Sequence, residues 1–308
     1  MNNYEMRNIP TFFDAPFGEL DDLNIDTVAI CGIYSDHYGG GNPGSRIAPR
    51  QIRYSNWPDK KQTNNKSLNN RVVDIGDLNV FPLEYHRNIN ILKEQCVKIL
   101  RTGACLLSVG GDYSNTPAMV SGLVDSFSDL SVGVIRISRR LDIMKEKKEP
   151  LDVTRFGTSD KIINLIGQAN NPLTLLGTSG TIALEEMEFS SNALIIAAKD
   201  INRNLEEAFS KDFNEWAKKF NVFYLSIDAD VLLPGYLETT FKNSYTGFSV
   251  ETLCNIINRM SYLPILAADF TGFVPEIDLT GREETIMVEQ ILGCMINALC
   301  KGGKNESK

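Results

Sequence analysis

The chain has 308 residues, 43% hydrophobic and 23% charged; these globular proportions exclude a disordered polymer and supply apolar surface for a large core. Thirty-one Lys and Arg against 39 Asp and Glu leave a net charge of −8, the wrong sign for binding a phosphate backbone, so no nucleic-acid partner is expected. No run approaches the ~20 apolar residues of a membrane span, and the opening MNNYEMRNIPTFFD lacks the basic-then-apolar order of a secretion signal; the expectation is a cytoplasmic protein with no membrane partner.

In chain order, residues 1–24 read as a polar arm and 27–33 (TVAICGI) as a strand. The polar stretch 58–70 (PDKKQTNNKSLNN) reads as solvated loop, followed by a weaker strand at 71–74 and a helix over 87–102. A strand at 104–109 leads to a helix at 115–125, a strand at 131–137 and another at 172–177. A helix at 180–189, a strand at 193–198 and a helix at 204–219 follow. Last come a strand at 222–227, a helix at 249–260 with Ser249 as its N-cap, a strand at 264–270, a helix at 283–300 and a polar tail at 301–308. Each strand run is apolar at both parities, as strands covered on both faces are. The alternation implies a single α/β domain of three layers, with a central, mainly parallel sheet of about eight strands. Chemistry in such sheets gathers at the carboxyl ends of the strands, here the loops 34–46, 110–114, 138–158, 228–236 and 271–278.

The six cysteines include no C-x-x-C pair, and Cys31 and Cys105 lie in apolar runs, where a thiol packs as a small hydrophobe. The two histidines, His37 and His86, sit in unrelated segments, so a site needing clustered imidazoles cannot be assembled within the chain. His86 reads as a surface residue at a helix start. The run Lys145 to Glu149 reads as a solvated loop face.

Several segments together resemble the ureohydrolase superfamily of arginases and agmatinases. Pro43-Gly44-Ser45-Arg46, Pro49 and Ile52-Arg53 resemble its N-terminal signature. Gly110-Gly111-Asp112-Tyr113 resembles the family's Gly-Gly-Asp-His turn, and Arg136 to Asp142 lies where the family has Asp-Ala-His-x-Asp. Phe156-Gly157-Thr158 resembles a His-Gly-Thr stretch, Ser226-Ile227-Asp228-Ala229-Asp230 a Ser-x-Asp-x-Asp strand end, and Asp269 to Asp278 the segment after the last strand. The resemblance spans roughly 25–298. It implies an arginase-like fold and a pocket in which two histidines and four aspartates hold two Mn²⁺ ions, with a bridging hydroxide that attacks a guanidinium carbon.

The chain departs from that pattern at most ligand positions. Tyr113 and Arg140 stand where the resemblance places histidines, Ser138 where it places the bridging aspartate, and Phe156 at a shuttle-type histidine. Gly272 falls where a late glutamate pairs with the substrate. Asp142, Asp228 and Asp230 remain, with Asp112 behind them. A guanidinium cannot lose its proton, so Arg140 would repel a metal rather than bind it. The expected pocket therefore comprises Asp112, Tyr113, Ser138, Arg140, Asp142, Phe156, Asp228, Asp230 and Gly272. Within it, Arg140 lies among Asp142, Asp228 and Asp230 as a replacement cation, with Tyr113 donating a hydrogen bond. Arg136 shares the parity of Ser138 and Arg140 but lies further from the strand end, and is not expected to contribute. Arg46 and Arg53 read as structural, bonding carboxylates or carbonyls beneath the first loop.

Three functional readings follow. The first is a metal-free homologue with no cofactor that binds a small guanidino- or amino-acid-like ligand, or serves as a partner subunit in a homo-oligomer or beside a paralogue. The second is an enzyme of altered chemistry. It would use Tyr113, Arg140 and the carboxylates as acid and base, or one weak Mg²⁺ or Mn²⁺ on Asp142, Asp228 and Asp230. The third is a true amidinohydrolase that releases urea.

Overall fold

The computed structural model describes residues 10–37, 43–55, 71–81, 84–139, 158, 161–162, 174–178, 194–209, 211–237, 247–275 and 283–302. Its strands are β1 (Val28–Ile33), β2 (Val72–Leu78), β3 (Cys105–Val109), β4 (Val132–Ile137), β5 (Thr174–Thr178), β6 (Leu194–Ala197), β7 (Val222–Asp228) and β8 (Ile265–Thr271). They form one eight-stranded sheet in the order β2-β1-β3-β8-β7-β4-β5-β6, with every described pairing parallel. The expected α/β sheet is thus present, and each apolar run became a strand.

The helices are α1 (Ala48–Arg53), α2 (Tyr85–Leu100), α3 (Thr116–Ser126), α4 (Ala198–Arg203), α5 (Leu205–Ala208), α6 (Lys211–Ala217), α7 (Val250–Met260) and α8 (Glu283–Gly302). One sheet face packs on α2 and α3 through Leu92, Cys96, Met119 and Leu123. The other packs on α7 and α8 and on an aromatic stack of Phe209, Phe213, Trp216 and Phe220. Ser249 caps α7 as expected, its hydroxyl accepting the Thr252 N–H at 3.0 Å. The helix expected at 204–219 is divided into α5 and α6, and the one expected at 180–189 lies outside the described residues. The six-residue helices α1 and α4 were not anticipated, because so short a run shows no hydrophobic period. No helix among the described residues is long and apolar enough to cross a membrane.

Two arginines fix the first loop to the sheet edge. Arg53 donates to Asp74 Oδ2 at 2.8 Å, Asp77 Oδ1 at 2.6 Å and the Gly76 carbonyl at 3.0 Å, and stacks over the buried Phe12 ring. Arg46 pairs with Asp36 at 3.0 Å. Both are structural, as their place beneath the loop predicted.

The strand order positions the site. β3, β8, β7 and β4 are neighbours at the centre of the sheet though they come from distant parts of the chain. Their carboxyl ends bring the turns after Val109, Ile137, Asp228 and Thr271 to one place, where parallel sheets open a crevice.

Candidate functional site

After β3 the chain turns through Gly110 and Gly111, at φ of 86° and 71°. A Cβ on Gly111 would lie 2.6 Å from the Ser35 carbonyl oxygen, so the first loop can approach this turn only because no side chain is there. The Asp112 N–H donates to that carbonyl at 3.0 Å. The Asp112 carboxylate accepts the Ser114 N–H at 2.9 Å and caps the 3-10 turn Tyr113–Asn115 leading into α3. Asp112 is thus occupied in shaping the turn, and Tyr113 is directed inward, with no exposed surface.

Asp228 closes β7 and caps the next turn in the same way, its Oδ1 accepting the Asp230 N–H at 3.1 Å. Asp228 and Asp230 are both buried. Each faces an arginine from the end of β4. The Arg136 Nη2 lies 3.9 Å from Asp228 Oδ2. The Arg139 N–H donates to Asp230 Oδ1 at 3.2 Å while its Nε lies 4.0 Å from Asp230 Oδ2. At such separations attraction is coulombic rather than a hydrogen bond, but solvent exclusion strengthens it. Arg136 has no exposed surface, and its Cζ stands 5.9 Å from the centre of the Tyr113 ring, within cation–π range.

Behind this pair runs a polar line across the sheet. Arg136, Ser226, Asp269 and Ser108 share one register on β4, β7, β8 and β3, so their side chains leave the same face. Asp269 Oδ2 accepts the Tyr224 hydroxyl at 2.8 Å. Burial raises the Asp269 carboxyl above its ordinary range, and this outweighs the lowering by hydrogen bonds from Ser226 and Tyr224 and by the Arg136 charge. The Tyr224 hydroxyl is pushed well up, by burial first and by the Asp269 charge second.

Gly272 follows β8 at φ 81°, and its N–H donates to the Gly111 carbonyl at 3.0 Å. A Cβ there would lie 2.6 Å from Asp228 Oδ1. The space a glutamate would need at this position is filled by the Asp228 carboxylate.

Of the residues singled out from sequence, Asp112, Tyr113, Ser138, Asp228, Asp230 and Gly272 lie at the carboxyl ends of the four central strands, and Ser138 is buried beside Arg139. Arg140, Asp142 and Phe156 lie outside the described residues, and with them the arrangement expected around Arg140. Among the described residues, the guanidinium that meets Asp228 is that of Arg136, which corrects the expectation that it stood too far back. Two residues of strand are only about 6.6 Å, within reach of an extended arginine. Arg139 and Asp269 also went unassigned. The signal for Arg136 and Asp269 was a charge inside a largely apolar strand, VGVIRI and ILAADFT; Arg139, beyond the end of β4, carried no such signal.

Comparison with known proteins decides the family. Residues 26–297 match the model described as "Arginase family". The chain belongs to the arginase family. Among curated members, it is 24% identical to the agmatinase of Bacillus anthracis over 265 residues, covering 82% of this chain and 84% of that one. It is 22% identical to the mitochondrial guanidino acid hydrolase of Rattus norvegicus over 281 residues, covering 89% and 78%. In fold it is similar to the proclavaminate amidino hydrolase of Streptomyces clavuligerus, with a TM-score of 0.78 at 18% identity over 96% of this chain and 98% of that one.

Of the four ligand positions of the resemblance that lie among the described residues of this arginase-family chain, two keep a carboxylate and two do not. At the ligand positions the resemblance assigns, Tyr113 offers a phenol and Ser138 a hydroxyl, and the carboxylates of Asp228 and Asp230 each face a guanidinium. A neutral phenol or hydroxyl is a weaker donor to a hard divalent cation than the imidazole or carboxylate it replaces, and a permanent cation nearby opposes binding.

Proposed function

We propose that this chain is an arginase-family protein that has lost the binuclear manganese centre, does not hydrolyse guanidino compounds, and acts by binding. Its role is to hold a small guanidino- or amino-acid-like ligand, or to serve as a subunit of a homo-oligomer or beside a paralogue, in the cytoplasm. The observation that carries the reading is the pairing of the two retained strand-end carboxylates, Asp228 and Asp230, with Arg136 and Arg139. Buried carboxylates are costly without countercharge; here guanidinium groups supply it. Tyr113, Ser138 and Gly272 support the reading further, since none is a strong ligand for a hard divalent ion and Gly272 carries no acid at the position where the resemblance places the one that pairs with the substrate.

Metal analysis of the purified chain, coupled to urea-release assays on arginine, agmatine and guanidinobutyrate, tests it. The expected result is less than one tightly held divalent ion per chain and no urea. Thermal-shift screening with guanidines, amino acids and polyamines then addresses the ligand. Turnover that depends on added Mn²⁺ would replace this reading with that of a divergent hydrolase.

A further inference from the structure

We infer that Arg136 is a built-in cation standing in for the family's metals, a buried guanidinium that neutralises the strand-end carboxylate of Asp228. The inference rests on the reading that the metals are gone and adds what replaced them. Tyr113 and Asp228 occupy two of the positions at which the resemblance places metal ligands, and the Arg136 guanidinium lies close to both. Its Nη2 is 3.9 Å from Asp228 Oδ2 and its Cζ is 5.9 Å from the Tyr113 ring centre.

The register adds a second acid. Arg136 shares its line across the sheet with Ser226 and Asp269, and its charge acts on the Asp269 carboxyl. Arg136, Asp228 and Asp269 are each 2% exposed or less, so water cannot screen them. An arginine in a strand whose other five residues are Val, Gly, Val, Ile and Ile has no packing rationale, since leucine or methionine would fill the space without carrying charge out of water. What it uniquely brings is a proton that never leaves. A metal site gains or loses its charge with metal supply; this one is neutralised permanently. Arg139 performs the same service for Asp230 nearer the surface, so the two carboxylates have separate countercharges.

The test is thermal unfolding of the full chain at matched ionic strength. The variants are wild type, Arg136→Met, Arg136→Lys, Asp228→Asn and the double variant Arg136→Met with Asp228→Asn. Arg136→Met should lower Tm by roughly 10 °C, the double variant should recover at least half of that loss, and Arg136→Lys should stay nearer wild type. Low-millimolar guanidinium chloride, measured against sodium chloride, should raise the Tm of Arg136→Met and leave wild type unchanged. The inference is overturned if Arg136→Met is as stable as wild type, if the Arg136→Met and Asp228→Asn losses simply add, or if lysine is as damaging as methionine. Should Arg136→Met not fold, folding of the double variant or of Arg136→Lys supports the inference, and failure of both overturns it. Two Mn²⁺ per wild-type chain would instead remove the metal-free reading on which the inference stands, so the two failures are distinct.

Discussion

Arg136 and Asp228 face one another across neighbouring strands with Nη2 and Oδ2 3.9 Å apart, and neither side chain reaches solvent. Breaking such a pair from the acid side strips a buried cation of one countercharge, a change that typically costs ~3–5 kcal/mol. Asp228→Asn also weakens the cap on the Asp230 N–H. Urea titration should show its midpoint lowered with little change in slope. A shift within ~0.5 kcal/mol of wild type, the range of ordinary surface substitutions, would mean that the pair contributes nothing.

Gly272 is constrained twice, by φ of 81° and by the Asp228 oxygen 2.6 Å from where a Cβ would sit. Gly272→Ala should destabilise by ~1–3 kcal/mol through backbone strain alone. Gly272→Glu, the residue the family pattern would place there, should cost more, because it adds a carboxylate against Asp228. Circular-dichroism melts decide this; a glutamate variant as stable as wild type would show that the turn can open to admit an acid.

Asp269 carries a pH signature. Its carboxyl titrates above the ordinary range in the folded chain, chiefly because it is buried. The folded state therefore holds the proton more tightly than the unfolded state, and stability falls as pH rises from the unfolded carboxylate range through the raised folded value. Asp269→Asn removes that dependence, so its stability should decline less than that of wild type across the window. Parallel pH–stability curves for the two proteins would contradict the assignment.

The fold was legible because each strand is a short apolar run and each long helix has a period, and the eight expected strands and Ser249 at its cap follow from that alone. Helices α1 and α4 were not legible, since six residues complete fewer than two turns. The site was legible where the chain keeps the family's spacing, as at Asp112, Asp228 and Asp230. It was misread at Arg136, because position along a strand says where a Cα lies and not how far a long side chain travels. Asp269 and Tyr224 escaped for a related reason: their bond joins residues 45 apart in sequence, and only the β7–β8 register brings them together.

Restoring the lost donors asks whether the scaffold still accepts metal. Tyr113→His with Ser138→Asp and Arg140→His should not recover a tight Mn²⁺ site while Arg136 remains, because its guanidinium still lies close to residue 113 and to Asp228. Adding Arg136→Met should raise the metal content measured after dialysis. Two Mn²⁺ per chain in the triple variant with Arg136 intact would show that this arginine is no obstacle.

The account depends most on what the pocket of the wild-type chain holds. Plasma-mass-spectrometric metal analysis of the protein, equilibrated with excess Mn²⁺ and then gel-filtered, tests that directly. The carboxylates' pairing with Arg136 and Arg139 predicts less than one manganese ion retained per chain and no urea from agmatine. Two retained ions, accompanied by urea release, would contradict it.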